Sequence, residues 1–230
     1  MTKADLAATP HLAGLIIFDC DGVLIDSEWI ACEVEAEVLS EHGFPMTADD
    51  VRRLLLGIST ASSLIVLERE YGRRPSAEIM GEVKCRLLDA FTARLDVVPG
   101  IREVLTRLPG RRCVASSSDP ERLRHCLGLV GLYDDLTPHI FSATMVRNGK
   151  PAPDLFLHAA AQMQVAPADC VVVEDSVAGV TGARAAGMTA IGFIGGRHCG
   201  PGHGAQLREA GAHRIVQNYD QFLMGVSGDE

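Results

Sequence analysis

The sequence has no long apolar run and little that is typical of secreted or membrane proteins. None of its apolar stretches approaches the ~20 residues that a membrane-spanning helix needs, and the opening MTKADLAATPHL lacks the apolar middle of a signal peptide. The sequence contains seven cysteines, an odd number, and no C-x-x-C pair. Cysteines scattered in this way indicate free thiols in a reducing compartment. We therefore expect a cytoplasmic protein without a membrane partner.

Positive charge is also scarce. Lys and Arg total 21 against 30 Asp and Glu, which gives a net charge of −9. A protein that follows a phosphate backbone needs clustered, uncompensated positive charge, so we expect no nucleic-acid partner. Apolar residues make up 47% of the 230-residue chain, which is enough for a packed core domain with a smaller companion.

From Pro99 onward, short apolar runs alternate with helical patterns. RRCVASSS, HIFSA, CVVVED, TAIGFIG and RIV are each followed by a segment of helical character. The segment PDLFLHAAAQM, for example, places apolar residues at i, i+3, i+4 and i+7 on one helical face. This alternation predicts parallel strands joined by crossover helices, and LIIF at residues 15–18 fits the series as its first strand.

Between Ser27 and Leu95 the pattern is helical and contains no convincing strand. Thr47 and Asp50 have the spacing of a capping box before VRRLLLG. The predicted fold class is α/β, a Rossmann-like parallel-sheet core with an all-helical cap domain inserted after the first strand. The expected domains are a core of residues 13–26 and 97–226 and a cap of residues 27–96.

Carboxylates follow two of the predicted strands. Asp19 and Asp21 come after LIIF, and Glu174 and Asp175 follow CVVV. Ligands of open parallel sheets bind beyond the carboxyl ends of the strands, and acidic groups brought together there repel unless a cation holds them. A single Asp at a strand end is as often a turn or helix-cap residue, but two acidic pairs favour a metal site. The predicted Mg²⁺ ligands are Asp19, Asp21, Glu174 and Asp175.

The same set suits phosphoryl transfer. Asp19 would attack phosphorus and form an aspartyl-phosphate, while Asp21 would protonate the leaving oxygen and then activate water. Neutral and cationic donors must surround the phosphate oxygens, and a glycine lets backbone amides approach a ligand closely. Taken singly, these residues have ordinary structural explanations. A serine after a strand, such as Ser116, usually caps a helix, and a lysine before a proline, such as Lys150, usually lies in a solvated loop. The predicted phosphate-binding residues are Gly22, Ser116, Ser117 and Lys150.

Four segments resemble the four motifs of the haloacid dehalogenase superfamily: FDCDGVLIDSE, VASSS, GKPAPDLF and VVVEDSVAGV. The likeness is to its phosphatase branch with a helical cap, and it covers the chain from Leu15 to beyond Gly196. It implies that Asp19 is the nucleophile, that Asp21 is the acid/base, and that Asp19 and the Asp21 carbonyl bind Mg²⁺. The expected partner is a small phosphorylated metabolite, such as a sugar, polyol or sugar-acid phosphate, and the expected state is a monomer or weak homo-oligomer.

Two alternatives to this phosphatase stay open. Related β-phosphoglucomutases carry a histidine early in the first cap helix and an arginine in the next cap loop, where this chain has Ala31 and Thr60. Without these groups a bisphosphate is held less well, which favours hydrolysis. A receiver-like phospho-switch module also uses an acidic cluster, a phosphorylated Asp, a Ser/Thr and a Lys, but it has no counterpart of Asp21 and no cap.

The segment GGRHCGPGHG, residues 195–204, contains His198, Cys199 and His203. These residue types raise the alternative of a soft-metal site. The glycines of the segment favour a flexible loop after the TAIGFIG strand instead.

Overall fold

The computed structural model describes residues 14–56, 60–108 and 110–224. They form two compact units. The first, the core unit, contains the described residues up to Ile25 and from Val97 onward, and the second, the helical unit, is Asp26–Asp96. The predicted α/β class with an inserted all-helical domain is confirmed.

A six-stranded parallel sheet lies at the centre of the core unit. Its strands are β1 (Leu15–Phe18), β2 (Arg111–Ser116), β3 (Ile140–Ser142), β4 (Cys170–Glu174), β5 (Thr189–Phe193) and β6 (Arg214–Val216). They lie in the order β3-β2-β1-β4-β5-β6, and every pair is parallel. The chain moves outward in one direction through β2 and β3 and in the other through β4 to β6. The switch point between β1 and β4 is where sheets of this type bind ligands.

The α-helices of the described residues are numbered in chain order. Those of the helical unit are α1 (Glu28–Glu41), α2 (Ala48–Leu54), α3 (Thr60–Tyr71) and α4 (Ala77–Arg94). Those of the core unit are α5 (Ile101–Arg107), α6 (Pro120–Leu129), α7 (Tyr133–Leu136), α8 (Asp154–Gln162), α9 (Val177–Ala185), α10 (His203–Glu209) and α11 (Tyr219–Met224). None of the helices in the described part of the chain combines the length and the apolar character that a membrane span needs.

Local signals explain where several helices begin. The Asp119 side chain caps α6 by accepting the Arg122 backbone N–H at 2.9 Å, and Pro120 takes the first helical position. The predicted apolar face of α8 is buried against the sheet as part of the main core.

The sequence did not predict α5 or α7. Both helices are short, and neither has a clear periodic pattern of apolar residues.

The helical unit has an apolar core of its own. The predicted capping box at Thr47 and Asp50 is confirmed, with both reciprocal hydrogen bonds present at the start of α2. Helix α1 packs against α2 and α4, and the apolar residues in this core include Leu39, Phe44 and Val51. Its described residues contain no strand, as the sequence predicted. Residues 57–59 lie outside the described residues, and so do the side chains of residues 60–62.

Candidate active site

The predicted acidic residues meet at the carboxyl edge of the sheet. Phe18, the last residue of β1, pairs with Val114 of β2 on one side and Val173 of β4 on the other. The Asp19 backbone N–H donates to the Val173 carbonyl at 3.0 Å, so the chain is still held to β4 where the acidic sequence begins. Asp19 and Glu174 therefore leave neighbouring strands side by side, at the switch point of the sheet.

Lys150 joins these two carboxylates. Its Nζ donates to Asp19 Oδ1 at 2.7 Å and to Glu174 Oε1 at 2.6 Å, and its side chain is 3% exposed. Although burial lowers the pKa of Lys150, the Asp19 and Glu174 carboxylates outweigh this effect and raise the pKa above its usual value. A charged lysine is therefore fixed beside Asp19, and its role in binding phosphate stays a prediction.

Three buried carboxyl groups crowd around this lysine. Asp19, Glu174 and Asp175 each place one oxygen within 4.8 Å of the others. Burial raises the pKa of Asp19 well above its usual value, with Lys150 opposing and the other two carboxylates adding to the rise. Burial, and then Glu174, raise the pKa of Asp175 in the same direction. The cluster therefore carries more negative charge than Lys150 offsets when all three groups are ionised.

A divalent cation fits this charge and donor set. Three carboxylates face one ammonium group, which leaves an excess of two negative charges when all are ionised. The donors are all hard oxygens, the type that Mg²⁺ prefers. Both Glu174 oxygens are already engaged, one by Lys150 and the other by the Ser176 N–H and hydroxyl at 3.0 and 2.8 Å. Asp19 and Asp175 are thus the carboxylates best placed to hold the ion, and direct ligation by Glu174 stays a prediction.

Asp21 stands apart from this carboxylate cluster. Its carboxylate accepts from the Ser118 hydroxyl and from Arg122 Nη2, each at 2.7 Å. The side chain therefore faces the turn after β2 and the start of α6, and its role as acid and base stays a prediction. Sequence reasoning missed both partners. The signal was present in SSSDPER, because Ser118 follows Ser116 by two residues and Arg122 lies in the first turn of the next helix.

The serines after β2 form a braced turn. Ser116 is buried, and its hydroxyl accepts the Ser118 N–H at 3.0 Å. The Ser118 carbonyl in turn accepts from the Ser142 hydroxyl at the end of β3, at 2.8 Å. Ser117, between them, is exposed. These bonds hold the turn beside the end of β1, and the phosphate-binding roles of Ser116 and Ser117 stay predictions.

Comparison with known proteins identifies the family of this chain. The family described as "haloacid dehalogenase-like hydrolase" has a sequence model that matches residues 14–187, about three quarters of the chain. The chain belongs to this family. It is therefore a hydrolase, as predicted, and the match favours an enzyme over a receiver-like switch module.

Relatives of this hydrolase include enzymes of both predicted types. It is 33% identical over 214 residues to a phosphorylated carbohydrates phosphatase of Thermotoga maritima, a match that covers 88% of this chain and 93% of the relative. It is 32% identical over 187 residues to the β-phosphoglucomutase of Bacillus subtilis, covering 77% and 81% of the two chains. The relative that is named a phosphatase supports the prediction that this protein is a phosphoric monoester hydrolase.

The fold of this hydrolase also matches a solved structure. A conserved haloacid dehalogenase-like protein of unknown function from Agrobacterium tumefaciens superposes with a TM-score of 0.85 and 39% sequence identity. The match covers 94% of this chain and 98% of the other. The α/β fold with its inserted helical domain is therefore shared along nearly the full length of both proteins.

In this hydrolase Gly22 packs tightly against the acidic cluster. The residue has φ of +76°, and a Cβ there would lie 1.9 Å from Asp175 Oδ2. Its N–H donates to the Ile25 carbonyl at 2.8 Å within the turn after β1. The need for glycine thus comes from backbone conformation and from contact with Asp175, and a role in phosphate binding stays a prediction.

Replacing Gly22 with alanine should lower the free energy of unfolding more than replacing Gly187 does. Gly187 has a similar φ of +74° but nothing within 4 Å of an added Cβ. Each variant loses about 1 to 2 kcal/mol to the left-handed backbone. Gly22→Ala loses a further ~1 to 3 kcal/mol because its Cβ overlaps Asp175. Urea unfolding of the two variants measures the difference, and equal losses would contradict the packing role of Gly22.

The loop after β5 also reaches this site, which the sequence did not predict. His198 Nε2 lies 2.9 Å from Asp175 Oδ2, and the His198 side chain is 2% exposed. His203, the first residue of α10, places its Nε2 against the Asp175 backbone carbonyl. The glycine-rich segment, for which the sequence favours a flexible loop, supplies two partners to Asp175. The two histidines of this segment, His198 and His203, were the sequence signal that could have predicted these contacts.

Proposed function

We propose that this protein is a Mg²⁺-dependent phosphatase that hydrolyses phosphomonoesters of small metabolites through an aspartyl-phosphate on Asp19. One observation carries the proposal. Asp19 is held by Lys150 at the switch point of the sheet, while the second aspartate of the motif, Asp21, is turned away to the donors Ser118 and Arg122. The two aspartates therefore occupy different environments, as a nucleophile and a proton carrier require.

In the first step an Asp19 carboxylate oxygen attacks phosphorus and the phosphorus–ester oxygen bond breaks. The leaving alcohol takes a proton from Asp21, which must enter this step protonated and therefore released from its ion pair with Arg122. Lys150, already bonded to Asp19, offsets the repulsion between the nucleophile and the anionic phosphoryl group. Ser116 and the amides of its turn donate to the phosphoryl oxygens.

In the second step water attacks the phosphorus of the aspartyl-phosphate and the bond to Asp19 breaks. Asp21 now accepts the proton of that water, so it returns to its starting state and inorganic phosphate leaves. The hydroxyl of Ser118 and the guanidinium of Arg122 both donate to Asp21, which orients its carboxylate as an acceptor. These two residues therefore support the hydrolytic step.

Asp19 and Asp175, with the backbone carbonyl of Asp21, would hold the Mg²⁺ ion. The ion would supply positive charge that draws the phosphate to the carboxylates and stabilises the charge that develops on its oxygens. Glu174 supports this arrangement from the protein side, because it fixes Lys150 through one oxygen and accepts from Ser176 through the other.

The proposed substrates are phosphates of sugars, polyols or sugar acids. Support comes from the 33% identical relative, which is named a phosphorylated carbohydrates phosphatase. The helical unit would act as the cap whose side chains choose among these substrates. We further propose that the protein acts in the cytoplasm as a monomer or weak homo-oligomer, with neither nucleic-acid nor membrane partners. The net charge of −9 supports the absence of a nucleic-acid partner.

Phosphate release over a panel of phosphorylated sugars, polyols and sugar acids tests this function. We expect turnover with Mg²⁺, loss of turnover after chelation, and recovery when Mg²⁺ is restored. Asp175→Asn should raise the Mg²⁺ concentration that gives half-maximal rate, because one charged oxygen donor is lost. Asp169→Asn, a substitution just before β4, is the matched control. Full activity in the presence of chelator would contradict the metal assignment.

The same assay separates hydrolysis from the mutase alternative. With a hexose 1-phosphate, both phosphate release and formation of the 6-phosphate isomer are followed, with and without a catalytic amount of the bisphosphate. The chain has Ala31 in α1 and Thr60 at the start of α3, so we expect phosphate release to dominate. Bisphosphate-dependent isomerisation that outruns phosphate release would overturn the hydrolase assignment.

A further inference from the structure

Next to the acidic cluster, the loop after β5 gathers three side chains that commonly bind transition metals. His198, Cys199 and His203 each place one ligand atom within 4.8 Å of the other two. His198 is buried, and Cys199 and His203 are half-buried. The Cys199 N–H donates to the Gly196 carbonyl at 3.0 Å, so a backbone turn brings the thiol back toward the ring of its neighbour.

Two distances from His198 Nε2 are slightly shorter than those between ligands of a tetrahedral site. Cys199 Sγ lies 3.3 Å from His198 Nε2. In a tetrahedral zinc site, bonds of ~2.0 to 2.3 Å put nitrogen and sulfur ligands about 3.5 Å apart. Asp175 Oδ2 lies 2.9 Å from the same nitrogen, against about 3.3 Å for a nitrogen and an oxygen ligand. Small side-chain rotations would open both gaps enough to admit an ion.

We propose that His198, Cys199 and His203 form a second metal site, selective for a borderline-soft divalent ion such as Zn²⁺. Imidazole and thiolate ligands suit Zn²⁺ and disfavour Mg²⁺, so the two sites select different ions although they are neighbours. Cys199 binds as the thiolate, and its proton passes to solvent.

The two sites are coupled through Asp175. His198 Nε2 is the nitrogen that faces Cys199, and it is also the nitrogen bonded to Asp175 Oδ2. An ion on this nitrogen leaves the ring proton on Nδ1, replaces the hydrogen bond to Asp175 and draws the Asp175 carboxylate out of its cluster with Asp19 and Glu174. Zn²⁺ therefore inhibits turnover at Mg²⁺ concentrations that would otherwise saturate the enzyme. The metal site stands on its own geometry, whereas this inhibition rests on the proposed function.

Cobalt is the probe for the site, because a cobalt–thiolate bond gives a charge-transfer absorption band in the near ultraviolet. The full-length protein, freed of metals, is titrated with Co²⁺ in the presence of excess Mg²⁺. We expect one equivalent of Co²⁺ to produce the band, and Zn²⁺ to abolish it by displacement. Cys199→Ser and Cys199→Ala should both lose it, and His203→Gln should weaken Co²⁺ binding by about 10- to 100-fold.

Cys85→Ser is the matched control, since Cys85 is the exposed thiol of the helical unit and should leave the band intact. No band in the wild-type protein, or a band that persists in both folded Cys199 variants, would overturn the proposal. A hydrogen-bond network that merely holds Asp175 needs no metal–thiolate bond, so it predicts no cobalt band in the wild-type protein.

The effect on turnover is read separately. One equivalent of Zn²⁺ should reduce phosphate release several-fold in the wild type and have far less effect in Cys199→Ser. If the band behaves as expected but Zn²⁺ does not inhibit an active enzyme, the coupling through Asp175 is wrong. If no substrate is hydrolysed, the proposed function fails while the cobalt band still decides the metal site.

Discussion

Replacing Asp19 with asparagine is expected to reduce phosphate release by about 10⁴-fold or more, the size of effect seen when a covalent nucleophile is removed. Asparagine has nearly the same shape and can still accept a hydrogen bond from Lys150. The substitution also removes one of three crowded carboxylates whose charge burial disfavours. We therefore expect the metal-free variant to be no less stable than the wild type. Phosphate release and thermal unfolding, measured together, check both parts.

Asp21→Asn is the comparison that separates a nucleophile from a proton carrier. With an aryl phosphate, whose leaving group needs no proton, this variant should still transfer phosphate to Asp19. Release should then slow by about 10² to 10⁴-fold, because no base activates the attacking water. Acid quenching followed by peptide mass spectrometry should find the phosphate on Asp19. Turnover by Asp19→Asn at the wild-type rate, or phosphate located on another residue, would contradict the mechanism.

The parallel sheet and the carboxylate cluster were within reach of the sequence, whereas the order of the strands was not predicted. Apolar runs that alternate with helical segments specify a parallel sheet, and strands of such a sheet point their carboxyl ends to one edge. Asp19 directly follows β1 and Glu174 is the last residue of β4, so their meeting requires only that β1 and β4 be neighbours. The sequence predicts Lys150 as a site residue because of its positive charge and its position in GKPAPD, not because of any periodic pattern.

The partners of Asp21 and Asp175 were beyond what a pattern can specify. Adjacent residues at a strand end point in different directions. The sequence of Glu174 and Asp175 therefore does not say which residues each carboxylate contacts. Arg122 reaches Asp21 because α6 begins at Pro120 and turns its first residues toward β1, a direction that depends on the SSSDP turn. His198 reaches Asp175 through the path of a glycine-rich loop, which propensity does not fix.

Lys150→Met is expected to damage stability and activity together. The side chain is 3% exposed and bonds to both Asp19 and Glu174, so its loss leaves two buried carboxylates without their cation. Removing one partner of a buried ion pair costs about 3 to 5 kcal/mol in the free energy of unfolding. Loss of the charge beside the phosphoryl group should lower turnover by about 10² to 10³-fold. Urea unfolding in the presence of chelator and phosphate release with Mg²⁺ measure the two effects, with Lys84→Met, an exposed lysine of α4, as control.

The double variant Lys150→Met with Glu174→Gln distinguishes the two contributions of this lysine. Glutamine keeps an oxygen to accept from the Ser176 N–H and hydroxyl, but it leaves no unpaired charge at Glu174. Much of the lost stability should therefore return, since the buried charge was the costly element. Turnover should not return, because Asp19 still lacks the cation that offsets its repulsion with phosphate. Recovery of turnover together with stability would show that Lys150 acts only by holding the fold.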